Sequence, residues 1–334
     1  MDLSIVIPTY NRAGLLRRTV PALASQEGDF DYEVILVSNG STDETEDVLR
    51  AAEQEYPGKI RYYRIEPTGG PAAPRNFGIR KARGDVIVIL DDDVLPEPGL
   101  ARGHLEFHRK FPQQHHAGVG EAYVPEGVLE DPMSYFHTFP YDEIRHLERL
   151  SYLHFWTCNV SFKREFMLEK GMFDERFLYY EDVFCAYRME KNGMFLHFVP
   201  DARGQHLHQL KPSGVLAKGL FTGLWLYAFE QEIPERAVRE RFGILSRDLG
   251  PLLFAKRLVK RIALLAIANP LTFAILRAAG ATGGKRSRLS DAYYFLLFRR
   301  SILRGYSQAK SAARKARSSG GASTEAEWVD RGET

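Results

Sequence analysis

The chain reads as an α/β protein, a mostly parallel sheet flanked by helices, followed by an α-helical C-terminal extension. Three observations predict this. Strand-type and helix-type segments alternate through the first hundred residues, and the strands are continuous apolar runs rather than alternating ones. Polar clusters follow directly on the strand runs. Beyond residue 213 only helical patterns remain. With 334 residues, 44% apolar and 26% charged, the chain can bury one large core or two modest ones, which excludes a wholly disordered protein.

Ser4-Ile-Val-Ile-Pro8 is a short β-branched run, and a helical stretch spans Ala13–Gln26. Glu33–Ser38 is a second buried-type strand, closed by the turn pair Asn39-Gly40. Ser41-Thr-Asp-Glu44 has the form of a capping box and predicts a helix to about Glu55. Ile60–Ile65 is a weaker strand. Gly69-Gly70-Pro71 breaks the chain before a helix over Ala73–Arg83, and Val86–Leu90 is the strongest strand run. After Asp91 the pattern loosens: a helix over Pro98–Lys110, a strand over Val119–Val124, then an irregular connector over Glu126–Leu150. A strand at Cys158–Phe162 leads into a helix ending at Lys170. A helix over Glu181–Asn192 precedes a strand at Met194–Val199, and helices are predicted at 213–231, 234–247, 251–267 and 290–306. The tail after Gln308 reads as unstructured.

The net charge of +2 hides a polarised chain. Residues 251–318 carry +14, residues 319–334 carry −3 and residues 1–250 carry −9. An acidic body with a basic end predicts two modules with different partners. Two cysteines, Cys158 and Cys185, are too few for a disulfide scaffold or a cysteine zinc site and read as reduced thiols. The N-terminus lacks the basic and apolar regions of a secretory signal, so a cytoplasmic location is expected.

In an open parallel sheet, ligands bind beyond the carboxyl ends of the strands. Four polar clusters fall there: Thr9-Tyr10-Asn11-Arg12, Ser38–Asp43, Arg75-Asn76 and Asp91-Asp92-Asp93. Consecutive carboxylates after a buried strand repel one another unless a cation neutralises them, and Mg²⁺ or Mn²⁺ bound to phosphates would do so. A solvated acidic turn is the competing reading. No G-x-G-x-x-G or G-x-x-x-x-G-K-[ST] is present, which argues against dinucleotide and P-loop folds.

Ser4–Arg12, Val37–Asp43, Pro74-Arg-Asn-Phe-Gly78, Leu90–Asp93, Thr157–Ser161, Gly171–Glu175 and Glu181-Asp182 together resemble the nucleotide-sugar half of family-two glycosyltransferases, over about residues 3–215. The resemblance implies a GT-A fold, Rossmann-like in its sheet, an activated sugar donor and a divalent metal. It implies that Pro8, Thr9, Tyr10, Arg12, Asn39, Arg75, Asp91 and Asp92 hold the nucleotide sugar. Asp93 and His206 would bind the metal, with His208 competing for the second position. Asp182 would be the general base, and Trp156, Asn159 and Glu181 would meet sugar or acceptor. The family usually has a carboxylate where this chain has Asn39, whose amide oxygen can still accept from a base ring N–H. As ordinary structure, Glu181-Asp182 is an acidic pair at a helix start, Arg75 an exposed helix charge and Trp156 a core aromatic.

The domain reading is a catalytic region over 1–212, with a nucleotide-sugar half (1–95) and an acceptor half (96–212). A basic amphipathic helical region (213–306) and a tail (307–334) follow. The expected activity is metal-dependent, inverting transfer from a nucleoside diphosphate sugar, UDP favoured, to a hydroxyl acceptor such as a lipid-linked glycan or a polysaccharide precursor. A nucleotidyltransferase on a similar sheet and a non-catalytic sugar-nucleotide-binding or nucleic-acid-binding scaffold are the alternatives. Aliphatic runs mixed with Lys and Arg over 251–306 favour a membrane surface over nucleic acid, peripheral to the inner face. Ile262–Leu276 is too short to span a bilayer and is broken by Asn269-Pro270.

Overall fold

The computed structural model describes residues 1–126, 139–207, 211, 214–233, 236, 239, 244–245, 250–283 and 285–318. The chain forms two compact units, one over 1–125 and 137–208, the other over 126–136 and 209–334. The first begins with β1 (Leu3–Thr9), α1 (Ala13–Ala24), β2 (Tyr32–Ser38), α2 (Thr45–Glu55), β3 (Ile60–Arg64), α3 (Ala72–Lys81) and β4 (Val86–Leu90). It continues through β5 (Val94–Pro96), α4 (Leu100–Lys110), β6 (His116–Tyr123), a short α5 (Tyr141–Ile144), β7 (Asn159–Lys163), α6 (Arg164–Lys170), α7 (Glu181–Lys191) and β8 (Phe195–His206). The sheet order is β3-β2-β1-β4-β7-β6-β8-β5. The first four strands are parallel, β7 is antiparallel to β4 and β6, β6 and β8 are parallel, and β5 is antiparallel to β8.

Every residue of β1, β2 and β4 is buried, as continuous apolar runs covered on both faces require. Leu3, Ile5 and Ile7 pack with Leu16 and Leu23 of α1, Leu36 of β2 and Val88 of β4 in one core. Strand order reverses between β1 and β4, the switch point of the sheet. There β1 pairs with β4 only as far as Val6, opposite Ile89, while its pairing with β2 runs on to Thr9. Pro8 has no N–H to give a ladder, so nothing resumes the pairing with β4 once it ends at Val6.

The structure differs from the sequence reading at four places. Ser41 does not cap α2: its hydroxyl accepts from the Asn11 N–H (3.1 Å), and Glu44 precedes the helix without a side-chain cap. β5 is only three residues long, too short to leave a pattern. β8 runs six residues past Pro200, where Pro-Asp-Ala-Arg-Gly reads locally as a turn, because pairing with β6 and β5 outweighs that preference. The last helix ends at Ser318 rather than near 306, and the helix expected over 234–247 falls largely outside the described residues.

The second unit contains α8 (Gly214–Glu232), α9 (Pro251–Ile267), α10 (Pro270–Ala278) and α11 (Arg288–Ser318). α8 and α11 meet through small residues, and a Cβ on Gly223 would stand 2.1 Å from the Ile302 carbonyl oxygen. Asn269 caps α10, accepting from the Thr272 N–H (3.0 Å), and Pro270 stops α9. The two helices bend by 58° at this break, and no single described helix is long and apolar enough to cross a membrane.

Candidate active site

The opening between β1 and β4 is lined by the residues that follow each strand. Thr9 donates its hydroxyl hydrogen to Asp92 Oδ2 (2.6 Å), and Arg12 Nε lies 3.7 Å from Asp92 Oδ1. Asn11 takes a left-handed conformation (φ 52°), which lets its Oδ1 accept from the Thr42 N–H at 2.8 Å. The β1–α1 and β2–α2 loops are thereby tied together, with Tyr10 left 53% exposed at the mouth.

Across the opening, α3 presents Arg75, buried despite its charge. Its Nη2 donates to Asp91 Oδ1 (3.2 Å), its Nη1 donates to Glu181 at the start of α7, and its guanidinium lies 5.6 Å from the Phe173 ring centre. The next residue, Asn76, holds Phe173 from both sides: Nδ2 donates to the Phe173 carbonyl (2.8 Å) and Oδ1 accepts from its N–H (2.9 Å). One turn of α3 therefore joins the end of β4 to the start of α7. Tyr180, the residue before α7, has a positive φ of 64°, an uncommon conformation that turns the chain sharply into Glu181-Asp182.

These groups perturb one another. Burial pushes the Asp182 carboxyl up to about 7, helped by the neighbouring Glu181 charge and opposed by Arg75. Burial also raises Asp91 and Glu181, against the pull of Arg75. Asp92 reaches about 7, through burial and then the Asp93 charge. Carboxylates this crowded favour a cation among them.

The pairing of Val94 with His206 sets Asp93 beside the end of β8, and the Leu207 N–H donates to the Asp93 carbonyl at 2.8 Å. His206 Nε2 is 3.5 Å from Asp93 Oδ1, both side chains being about one-tenth exposed. Among the described residues no group of three His, Cys, Asp or Glu could hold a metal by itself. A carboxylate and an imidazole side by side nonetheless fit Mn²⁺ or Mg²⁺ that draws its other ligands from phosphate oxygens and water.

One expected contact is corrected, and two other expected positions are bonded within the protein. Asn159 does not face a ligand: it is fully buried, with Oδ1 bonded to His104 Nε2 (2.8 Å) and Nδ2 donating to the Ala202 carbonyl (2.9 Å). It sits at the start of β7, opposite Leu90, where side chains of the central sheet turn inward. The Asn39 amide oxygen accepts from the Thr68 N–H (3.0 Å) and hydroxyl (2.9 Å), so both lone pairs are used within the protein. Thr9 and Asp92 bond each other, which makes them the tie between β1 and β4. Trp156 is half-buried in an aromatic group with Phe139 (4.7 Å) and Tyr141 (5.4 Å), and Phe139 lies 6.3 Å from His206. His208 lies outside the described residues. Sequence reasoning missed Phe173 as the floor of Arg75; its only signal was its place in Gly171–Glu175.

Residues 4–169 match the model of glycosyl transferase family 2. The chain carries a family 2 glycosyltransferase domain. Validoxylamine A glucosyltransferase of Streptomyces hygroscopicus is 33% identical over 221 residues, 58% of this chain and 52% of that protein. Chondroitin synthase of Escherichia coli is 30% identical over 240 residues, 61% of this chain and 34% of that one. The chain thus spans about half the length, or less, of these curated relatives. A mannosyltransferase of Pyrobaculum calidifontis, solved with GDP-Man and Mn²⁺, superposes with a TM-score of 0.59 at 17% identity, covering 91% of this chain and 86% of that one. S. aureus TarS 1–349 in complex with UDP gives 0.53 at 15% identity, covering 95% and 92%. The fold is of the GT-A type, and the family 2 domain contains the β1/β4 opening, Arg75, Asp91 and Asp93; Asp182 and His206 lie beyond the matched span.

Proposed function

We propose that the protein is a metal-dependent, inverting glycosyltransferase that moves a sugar from a nucleoside diphosphate sugar to a hydroxyl acceptor. The observation that carries this is the link through Arg75. One guanidinium bonds Asp91, beside the Asp93–His206 pair, and also Glu181, beside Asp182. A phosphate-binding region and a base of raised pKa are thereby held in one cluster. Asp93 and His206 would hold Mn²⁺ or Mg²⁺, which when bound would neutralise the leaving diphosphate. Asp182, ionised near neutral pH, would take the acceptor hydroxyl's proton on the face away from that leaving group. Tyr10 at the mouth offers a stacking surface to the base, and Arg12 a cation to the phosphates.

UDP is the favoured carrier, on the family resemblance and the UDP complex of TarS. With the Asn39 oxygen filled, base selectivity would rest on Tyr10 and backbone groups. The basic helices over 251–306 support a cytoplasmic enzyme peripheral to the inner membrane face, acting on a lipid-linked glycan or a polysaccharide precursor. The test is a screen of UDP-, GDP- and dTDP-sugars for released nucleoside diphosphate, with and without Mn²⁺. Release with one carrier class that Asp93→Ala abolishes is expected. No release and no nucleotide binding with any carrier would sink the reading.

A further inference from the structure

The second unit holds a half-open cavity of about 570 Å³ between α8, α9 and α11, within the size range of small-ligand sites. Its lining combines apolar side chains, Leu226, Leu253, Leu264 and Leu303 among them, with Lys256, Arg257, Lys260, Arg261 and Arg299. Like charges one helical turn apart repel, as at Lys256 with Lys260 and Arg257 with Arg261. Among the described residues no carboxylate lies within ion-pair distance of Lys256, Lys260, Arg261 or Arg299. Asp291, the one acid of 251–318, pairs with Arg286 (3.0 Å), and Glu230 pairs with Arg239 (3.2 Å) and accepts from Tyr306. Among the described residues, these four cations therefore have no carboxylate to neutralise them.

No side chain of α9 is fully buried, and several of its apolar residues face water: Leu252 is 85% exposed, and Leu271 of α10 is 69% exposed. A cavity lined by both leucines and cations, beside a helix pair with exposed Leu, Val and Ile, matches an amphiphile with a phosphate head and a hydrocarbon tail. We infer that this cavity is a binding site for one anionic phospholipid of a bilayer. The phosphate would meet Lys256, Lys260 and Arg299, an acyl chain would enter between Leu226 and Leu303, and α9 and α10 would lie in the headgroup layer. The inference rests on the membrane-surface reading given above and adds a defined lipid site to it.

The experiment is co-sedimentation of the full chain with vesicles of phosphatidylcholine alone and of an equal mixture with phosphatidylglycerol. Wild type should pellet with the mixture and remain in solution with phosphatidylcholine. Lys256→Gln with Lys260→Gln should weaken partitioning about tenfold or more. Arg299→Gln, at the cavity, should weaken it more than Arg314→Gln, the same charge change outside the lining. Leu303→Trp, which fills the cavity without changing charge, should weaken it about tenfold by excluding several methylenes, with helix content by circular dichroism as its folding control. Equal effects of Arg299→Gln and Arg314→Gln, with Leu303→Trp unchanged, would overturn the lipid site and leave the membrane reading standing. No pelleting with either vesicle would overturn both. Displacement from vesicles by millimolar inorganic phosphate, or tighter binding to a single-stranded oligonucleotide than to vesicles, would replace the lipid with that anion.

Discussion

Arg75 in the first unit is buried against two carboxylates, whereas Lys256 and Lys260 in the second line a cavity with no carboxylate in ion-pair reach among the described residues. The difference follows from solvent. A charge deep in the protein is costly unless paired, so the first unit fixes its charges against one another and thereby fixes the geometry of the proposed site. A charge at the surface needs no internal partner and is left for an external one. Matched charge in the first unit and unmatched charge in the second are what the proposed catalytic site and the proposed lipid site respectively require.

The sharpest way to break this contrast is at Asp182. Asp182→Asn keeps the shape and removes the base, and should lower kcat about a thousandfold, within the usual range for a general base, with nucleotide affinity unchanged. In wild type, activity should fall about tenfold per pH unit below about 7, because protonation of the raised carboxyl removes its capacity to accept a proton. A variant with wild-type kcat in a steady-state assay would return Asp182 to a helix-start carboxylate. Arg75→Met tests the matching itself. It leaves Asp91 and Glu181 without their partner and should cost about 3–5 kcal/mol in urea unfolding, while adding Glu181→Met should recover part of that loss. Additive losses would mean that the pair is not coupled.

Legibility in the sequence followed the same division. The strands β1, β2 and β4 announce themselves because each is apolar throughout, and the polar residues after them mark the ligand end. What could not be read were contacts made by tertiary pairing. Three-residue β5 sets Asp93 opposite His206, and nothing local predicts it. Asn159 looked like a sugar ligand because residue type and motif do not reveal that its amide is spent on His104 and the Ala202 carbonyl. Asn39 was placed correctly at a strand end, but its bonds to Thr68 depend on a loop about thirty residues away. In the second unit the basic amphipathic pattern of 251–267 was visible, while the cavity depends on three helices that meet only in the fold.

His104 offers a smaller effect, again by way of burial. Its pKa is lowered from 6.5 to about 4, chiefly by burial. The folded state therefore holds it neutral while the unfolded chain takes up a proton, so stability is fully present above pH 6.5 and is lost as pH falls toward 4. The shift corresponds to about 3 kcal/mol for this fully buried side chain. His197, lowered to about 4 by burial and by His116, acts in the same direction. Urea unfolding between pH 7 and pH 4 should show this loss, and His104→Gln should flatten the slope. An unchanged slope would assign the acid sensitivity elsewhere.

The smallest expected effect sharpens how α8 and α11 are held together. Gly223 of α8 faces the backbone of α11: a Cβ there would lie 2.1 Å from the Ile302 oxygen and 2.8 Å from the Tyr306 nitrogen. No side chain can swing away to make room, so Gly223→Ala must part the helices and lose contacts along their length. We expect a cost of about 2 kcal/mol, although alanine is the better helix former. Gly14 of α1 has nothing within 4 Å of the same added atom, so Gly14→Ala should raise stability by about half a kcal/mol. Calorimetric melting of the two variants gives opposite signs if close backbone approach joins α8 to α11. A stabilising Gly223→Ala would show that the helices have slack between them, and the cavity they help enclose would then lack a rigid wall.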